Sequence, residues 1–233
     1  MPRKAQPELR EETHNAIKDT ARRLMAERGT QGLSLRAIAR ELDLTAPALY
    51  YYFPRMDDLI TALILDAFNG LAEAVEIVAE THAELPAYEQ MIESLLAYRQ
   101  WAREHKTEFQ LIFGNPIPGY VAPAELTIPA AVRSMVAIGR AMYRVIDEND
   151  AEIPAHHLNI PPHLSAYFQD VTNRIDGDFP VFAVPLTVSL WSDLQGMVLM
   201  ELIEHLPPTV GYMDEWFRLE IERRLLDRGL KPN

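Results

Sequence analysis

Apolar positions recur every three or four residues along almost the whole chain, and no stretch alternates at a period of two as a half-buried strand would. The pattern predicts an all-α protein. A first helix is expected over 9–28, with Ala16, Ile17, Thr20, Ala21, Leu24 and Met25 on its inner stripe and Gly29 just past its end. Ser34 is placed to cap a second helix, whose Leu35, Ile38, Ala39 and Leu42 fall at i, i+3, i+4 and i+7. Asp43, Leu44 and Thr45 form a turn. Thr45 caps a third helix, and Pro47 lies in its first turn, where a missing N–H costs little. Leu49 and Phe53 point inward. At about 100° per residue, Pro47, Ala48 and Tyr51 face away, with Tyr50 and Tyr52 on the flanks. A fourth helix begins after Pro54. Asp57 and Asp58 suit its positive end, and its apolar stripe continues from Leu59 to Leu71.

Beyond residue 80 the period stays helical. Segments are expected over 86–105, 107–113, 130–147, 164–174, 181–206 and 210–228. Residues 114–123 and 149–162 are too rich in Pro and Gly for regular structure, and 175–180 reads as a turn. The segment over 181–206 is apolar almost all round, which requires burial on several sides. Met213, Trp216, Phe217, Ile221 and Leu225 give the last helix a wide stripe. Both helices can complete the core of one chain, or they can form a four-helix dimer interface through Leu194, Met197, Trp216 and Phe217.

Charge divides the chain. Residues 1–55 hold ten Lys/Arg and seven Asp/Glu, while residues 56–233 hold 12 and 27. The net charge of −12 therefore hides a basic first segment, suited to phosphate, ahead of an acidic and solubilising remainder. Arg3 and Lys4 read either as a basic arm on DNA or as a disordered end. With 233 residues the chain can bury a sizeable core. It has no cysteine, which excludes disulfides and thiolate metal sites and fits a reducing cytoplasm. No secretory signal and no apolar run of about 18 residues is present, so neither export nor a membrane partner is expected.

Catalytic signatures are absent: there is no Gly-rich phosphate loop and no Gly-x-Ser-x-Gly turn. His156, His157 and His163 lie in or beside a Pro-rich loop without further ligand spacing, so neither a metal nor a cofactor is expected. His205 suits a helix C-terminus. Asp193, embedded in an apolar run, needs a partner: an Arg, a hydroxyl or a cationic ligand.

The stretch over 34–53 fits a helix-turn-helix whose second helix is small at its N-terminal end and rich in hydroxyls, as a major-groove reader must be. With its flanks it resembles the DNA-binding domain of the tetracycline-repressor (TetR) family. The resemblance rests on Glu27-Arg28-Gly29, on Ser34 to Ala39, on Leu49-Tyr50-Tyr51-Tyr52-Phe53, and on Pro54 followed by Leu59. Two positions depart. Asp43 stands where the family usually has Gly, which is favoured for positive φ and which Asp tolerates replacing. Met56 stands where a Lys or Arg usually grips a phosphate. The C-terminal part is similar to a subgroup marked by Trp-x-x-x-His-Gly, here Trp191 to Gly196 with Gln195 in the His position.

The resemblance implies a two-domain regulator: a helix-turn-helix head over 1–55 and a helical ligand-binding and dimerisation domain over 56–233. It implies a cytoplasmic homodimer, most often a repressor, that binds a palindromic double-stranded operator. Ser34, Arg36, Thr45, Tyr50 and Arg55 would contact phosphates, while Ala46, Pro47, Ala48, Tyr51 and Tyr52 would face the groove. It further implies a small-molecule effector of unknown identity. Trp101, Phe113, Met135, Tyr143 and Trp191 are the candidate wall, and effector binding would move the fourth helix as a lever. The alternative is a helical ligand-binding or interaction protein whose head does not read DNA sequence.

Overall fold

The computed structural model describes residues 6–174 and 179–232. Arg3, Lys4 and most of the turn expected over 175–180 lie outside the described residues. All regular structure among the described residues is helical. In order, the helices are α1 (Gln6–Arg28), a short 3-10 turn (Thr30–Gly32), α2 (Leu35–Glu41), α3 (Ala46–Tyr52), α4 (Met56–Thr81), α5 (Ala87–Glu104), α6 (Lys106–Phe113) and α7 (Ala124–Glu148). Then follow α8 (Ala155–Leu158), α9 (Pro162–Thr172), α10 (Ala183–Leu202), α11 (Pro207–Val210) and α12 (Met213–Asp227). Packing divides the chain into two compact units: residues 1–68 with 105–129, and residues 69–104 with 130–233.

In the first unit α1 packs on α2 and α6, and α2 packs on α3. Their apolar stripes meet in one core that includes Ile17, Leu24, Ile38, Leu49, Phe53, Leu59 and Leu63. The sequence pattern places a boundary after residue 55. By packing, α6 and the loop behind it group with the first three helices. Leu111 rests on that core. Glu108 lies 3.6 Å from Arg22, and the Tyr120 and Thr61 hydroxyls share a hydrogen bond of 2.9 Å.

In the second unit α5 packs on α10 and α12. Arg99 of α5 is buried and donates to both carboxylate oxygens of Glu201 at 2.7 Å. Its guanidinium also lies 4.5 Å from the centroid of the Phe217 ring. The partner that Asp193 requires is in its own chain: Arg228 donates to it at 2.8 Å and to Ser189 at 2.7 Å, tying α12 to α10. Gly139 lets α7 and α10 come close, since a Cβ there would lie 3.0 Å from the Thr187 hydroxyl of α10. Of the expected interface residues, Leu194 is 1% exposed and Phe217 0%, and Met197 is buried as well. These three are filled against their own chain, which leaves them no surface to lend to a partner subunit. Only Trp216 stays half-exposed. The open side of α10 carries Val188, Leu199, Met200 and Ile203 instead.

Helix ends account for most departures from the expected segments. Four helices stop by the same device, a residue of positive φ followed by an N–H that reaches back five residues. In α2 the residue is Asp43 (φ 52), and Leu44 N donates to Ala39 O at 2.9 Å. In α7 it is Asp150 (φ 47), in α10 Glu204 (φ 63) and in α12 Gly229 (φ 81). The backbone bonds from Asp43 to Arg40 and from Glu204 to Glu201 complete a Schellman arrangement, which satisfies carbonyls a helix end would otherwise orphan. Glu204 thus ends α10 near residue 202 rather than 206. Gly211 (φ 73) divides the segment expected over 210–228. By contrast α7 starts earlier than expected, at Ala124, and runs through Pro129. That proline leaves the Glu125 carbonyl without its helical donor at an exposed position, where water can serve it.

Glutamate gains nothing from the left-handed conformation, whereas glycine enters it freely. Relief of Glu204 is worth up to about 1 kcal/mol, which for a chain of this size raises the melting temperature by roughly 2–4 °C. Glu204→Gly is expected to show that rise in thermal denaturation, and Glu204→Val a fall. Equal melting temperatures for the two variants would contradict the assigned end of α10.

Candidate nucleic-acid interface

The exposed face of α3 is fixed from both of its ends. At the start, the Thr45 hydroxyl accepts from Ala48 N at 3.3 Å, and Pro47 occupies the first turn. One helix earlier, the Ser34 hydroxyl accepts from Ala37 N at 3.0 Å. Between them the αL residue Asp43 turns the chain. Leu49 and Phe53 anchor α3 in the core. Ala46, Pro47, Tyr50 and Tyr51 therefore face outward, with Tyr51 62% exposed and Tyr50 44%. Ala48 is half-buried. Tyr52 lies on the expected flank but half-buried: it follows Leu49 by three residues and rests partly on the core rather than facing outward. Its ring meets Tyr51 edge-on at 5.4 Å and 83°.

The cations of this unit fall into two classes. Lys18 and Arg22 bind Asp66, Arg22 also binds Asp19, and Arg23 binds Glu27 and Glu41. These charges are neutralised locally. Arg36 and Arg40, one turn apart on α2, are exposed and form no ion pair among the described residues. Arg55 lies between the classes. Its guanidinium binds Asp58 at 2.8 Å, and its backbone N–H donates to the same carboxylate at 3.0 Å, half of a capping box on α4. The Arg55 hydrogen bonds hold the Asp58 carboxyl below its usual range. Arg55 therefore meets any phosphate in competition with Asp58. Met56 packs against the core, so the side chain in the expected phosphate-gripping position turns inward.

Sequence reasoning missed two cations at this surface. Arg40 was legible, since it repeats Arg36 at i+4. Arg10 was not, because its place beside α3 depends on how α1 packs. Its guanidinium lies over the Tyr51 ring, 4.8 Å from the centroid. One turn further along α1, His14 stacks on Phe53 at 4.7 Å and 27°. Burial, and then the charge of Lys18, hold the His14 imidazole below its ordinary range.

The candidate effector residues do not converge. Phe113 belongs to the first unit and packs on Phe109 and Phe68 at 5.0 and 5.8 Å. The other four lie in the second unit. Trp101 is buried with its indole against the backbone of Gly70, while Met135, Tyr143 and Trp191 are half-buried. Buried Tyr98 donates to Gln195 at 2.7 Å and has Trp191 as a second hydrogen-bonding neighbour. A cavity of about 270 Å³ lies between α4, α5 and α7 of this unit, and none of the five candidates lines it. Its apolar walls include Val75, Ala79, Ala137 and Ala141, and its polar groups are Glu76, buried Gln90 and Ser94, and exposed Arg140 and Arg144. No group of three or more metal-ligating side chains occurs among the described residues, and no described helix is long and apolar enough to cross a membrane.

Comparison with known proteins agrees with this geometry. Residues 17–63 match the bacterial regulatory proteins of the tetR family, and residues 91–223 match the tetracyclin repressor-like C-terminal domain. The HTH-type transcriptional regulator Rv1816 of Mycobacterium tuberculosis is 29% identical over 195 residues, which cover 84% of this chain and 82% of that one. The crystal structure of a regulatory protein, SCO4313, superposes with a TM-score of 0.77 at 28% identity, covering 95% of this chain and 99% of that one. The TetR family regulator PfmR of Thermus thermophilus shares the fold, with a TM-score of 0.58 at 20% identity over 93% of this chain and 99% of that one. Two matched domains in the expected order, one of them more than half the chain, and a capped helix-turn-helix with an outward aromatic face lead to one conclusion: the chain belongs to the TetR family and is a DNA-binding transcriptional regulator, not an enzyme.

Proposed function

We propose that the protein is a cytoplasmic, effector-responsive repressor that binds a palindromic operator as a homodimer. The observation that carries the reading is the face of α3: Pro47, Tyr50 and Tyr51 stand outward beside cations that have no carboxylate partner among the described residues. Ser34, Arg36, Thr45 and Tyr50 would meet phosphates, with Arg40 added and Arg55 sharing itself with Asp58. Ala46, Pro47, Ala48 and Tyr51 would meet base edges, the phenol hydroxyl by hydrogen bond and the apolar groups through thymine methyls. Tyr52 would support Tyr51 rather than touch DNA. The functional head is residues 1–55 and the regulatory body residues 56–233.

The second subunit would dock on the open stripe of α10, where Val188, Gly196, Leu199 and Ile203 recur at helical spacing, together with Trp216, Leu219 and Leu226 of α12. Glycine inside an exposed helix costs about 1 kcal/mol against alanine. A closely approaching helix would give Gly196 a use, since a Cβ there would meet nothing in its own chain. We place the effector in the cavity walled by Val75, Ala79, Ala137 and Ala141. The 26-residue α4 supplies part of that wall and begins beside the head, so it is the element whose movement would change the spacing of two heads. We also assign the body to the Trp-x-x-x-His-Gly subgroup. Gln195, accepting from Tyr98, would do what a His acceptor does there.

Two measurements test these statements. In a gel shift on the DNA upstream of its own gene, Tyr51→Ala is expected to weaken specific binding at least tenfold with an unchanged melting curve, since each base contact carries about 1–3 kcal/mol. Unchanged operator affinity would refute the assigned face of α3. In sedimentation, the wild-type chain at micromolar concentration is expected to be a dimer and Leu199→Arg a folded monomer. A wild-type monomer, or a Leu199→Arg dimer, would refute the assigned interface.

A further inference from the structure

We propose that Arg10 of α1 is part of the DNA-reading surface: lying over Tyr51, it holds the phenol ring in its groove-facing position and offers its N–H groups to the DNA backbone. The proposal rests on the reading of α3 as the groove element.

The geometry begins in the core. Phe53 is buried, and His14 stacks on it, which fixes how α1 lies along α3. Arg10 precedes His14 by one turn, so it occupies the same face of α1, further toward the outside. There it covers Tyr51 with its guanidinium 4.8 Å from the ring centroid. Tyr52 meets the same ring edge-on. Tyr51 thus touches both a cation on another helix and an aromatic neighbour on its own. Without such contacts, a side chain exposed to 62% samples several rotamers, and DNA must select one of them.

An exposed cation–π contact biases such a population by about two- to fivefold, and more once DNA removes the water. Arginine suits the task as lysine does not. Its planar group stacks on a ring and still directs N–H donors sideways. Among the described residues Arg10 has no ion-pair partner that would occupy those donors. The open cleft beside it, of about 760 Å³, is lined by Arg10, Glu11, His14, Tyr51 and Tyr52. Glu11 would repel a phosphate there, so Arg10 supplies the charge that lets the backbone approach.

Three variants separate the two roles. Arg10→Ala removes ring contact and charge, Arg10→Lys keeps the charge and loses the planar group, and Arg36→Ala serves as a phosphate-contact control. Each is assayed for melting temperature, for the ratio of operator to random-duplex affinity, and for the dependence of affinity on salt. Arg10→Ala is expected to flatten the slope of log affinity against log salt by about two units per dimer. It should also lower the affinity ratio at least threefold. Arg10→Lys is expected to keep the slope and lose the ratio. In the DNA-free protein, the Tyr51 ring resonances should shift in both Arg10 variants. An unchanged ratio in Arg10→Lys overturns the positioning role, and an unchanged slope in Arg10→Ala overturns the backbone contact. A wild-type protein that does not distinguish operator from random duplex would overturn the groove reading of α3 itself. The Arg10 variants cannot produce that result.

Discussion

The burial of Leu49 and Phe53 is the constraint on which the reading surface depends. Both belong to a seven-residue helix and its cap, and both enter the core made by Ile17, Leu24 and Ile38. Removing a buried Leu side chain costs about 2–5 kcal/mol, while losing a cap costs about 1. The core therefore sets the rotation of α3, and the Thr45 and Ser34 caps set where the helices begin. Once Leu49 is inside, a helix of 3.6 residues per turn has no choice but to place Pro47 and Tyr51 outside and to turn Tyr52 partly in. The surface is specified by its opposite face.

Charge is organised by the same packing. An exposed ion pair is worth about 0–1 kcal/mol, so the Arg23–Glu27 pair matters little to stability, while the pairs of Lys18 and Arg22 with Asp66 are part-buried. What these pairs change is which cations remain available. Pairing neutralises Lys18, Arg22 and Arg23 and leaves Arg36 and Arg40 on α2, and Arg10 over Tyr51, without a carboxylate partner among the described residues. A chain of net charge −12 can approach DNA where its head keeps exposed cations without carboxylate partners among the described residues.

Local signals made the head legible. Ser34 and Thr45 announce their caps, Pro47 its first turn, and Asp43 was readable as a tolerable occupant of the positive-φ turn it adopts. What failed to show in the sequence is what depends on contacts between distant segments. Glu204 adopts positive φ with nothing in its residue type to signal it. Arg10 reaches Tyr51 only after α1 has docked. Periodicity said that Leu194, Met197 and Phe217 are buried, but a stripe does not declare whether its cover is the same chain or a partner; here it is the same chain. The candidate effector residues are mostly large aromatics, and such side chains in this body pack into its core, while the cavity is lined by Val75, four alanines and five polar or charged side chains.

On the proposed function, two copies of α3 read two half-sites. Hydroxyl-radical footprinting on the DNA upstream of the protein's own gene tests it most directly. Two protected patches are expected, related by a dyad and centred one helical turn, about 34–36 Å, or a multiple of it apart. A single protected patch, or uniform protection that appears only at concentrations giving non-specific binding, would contradict it.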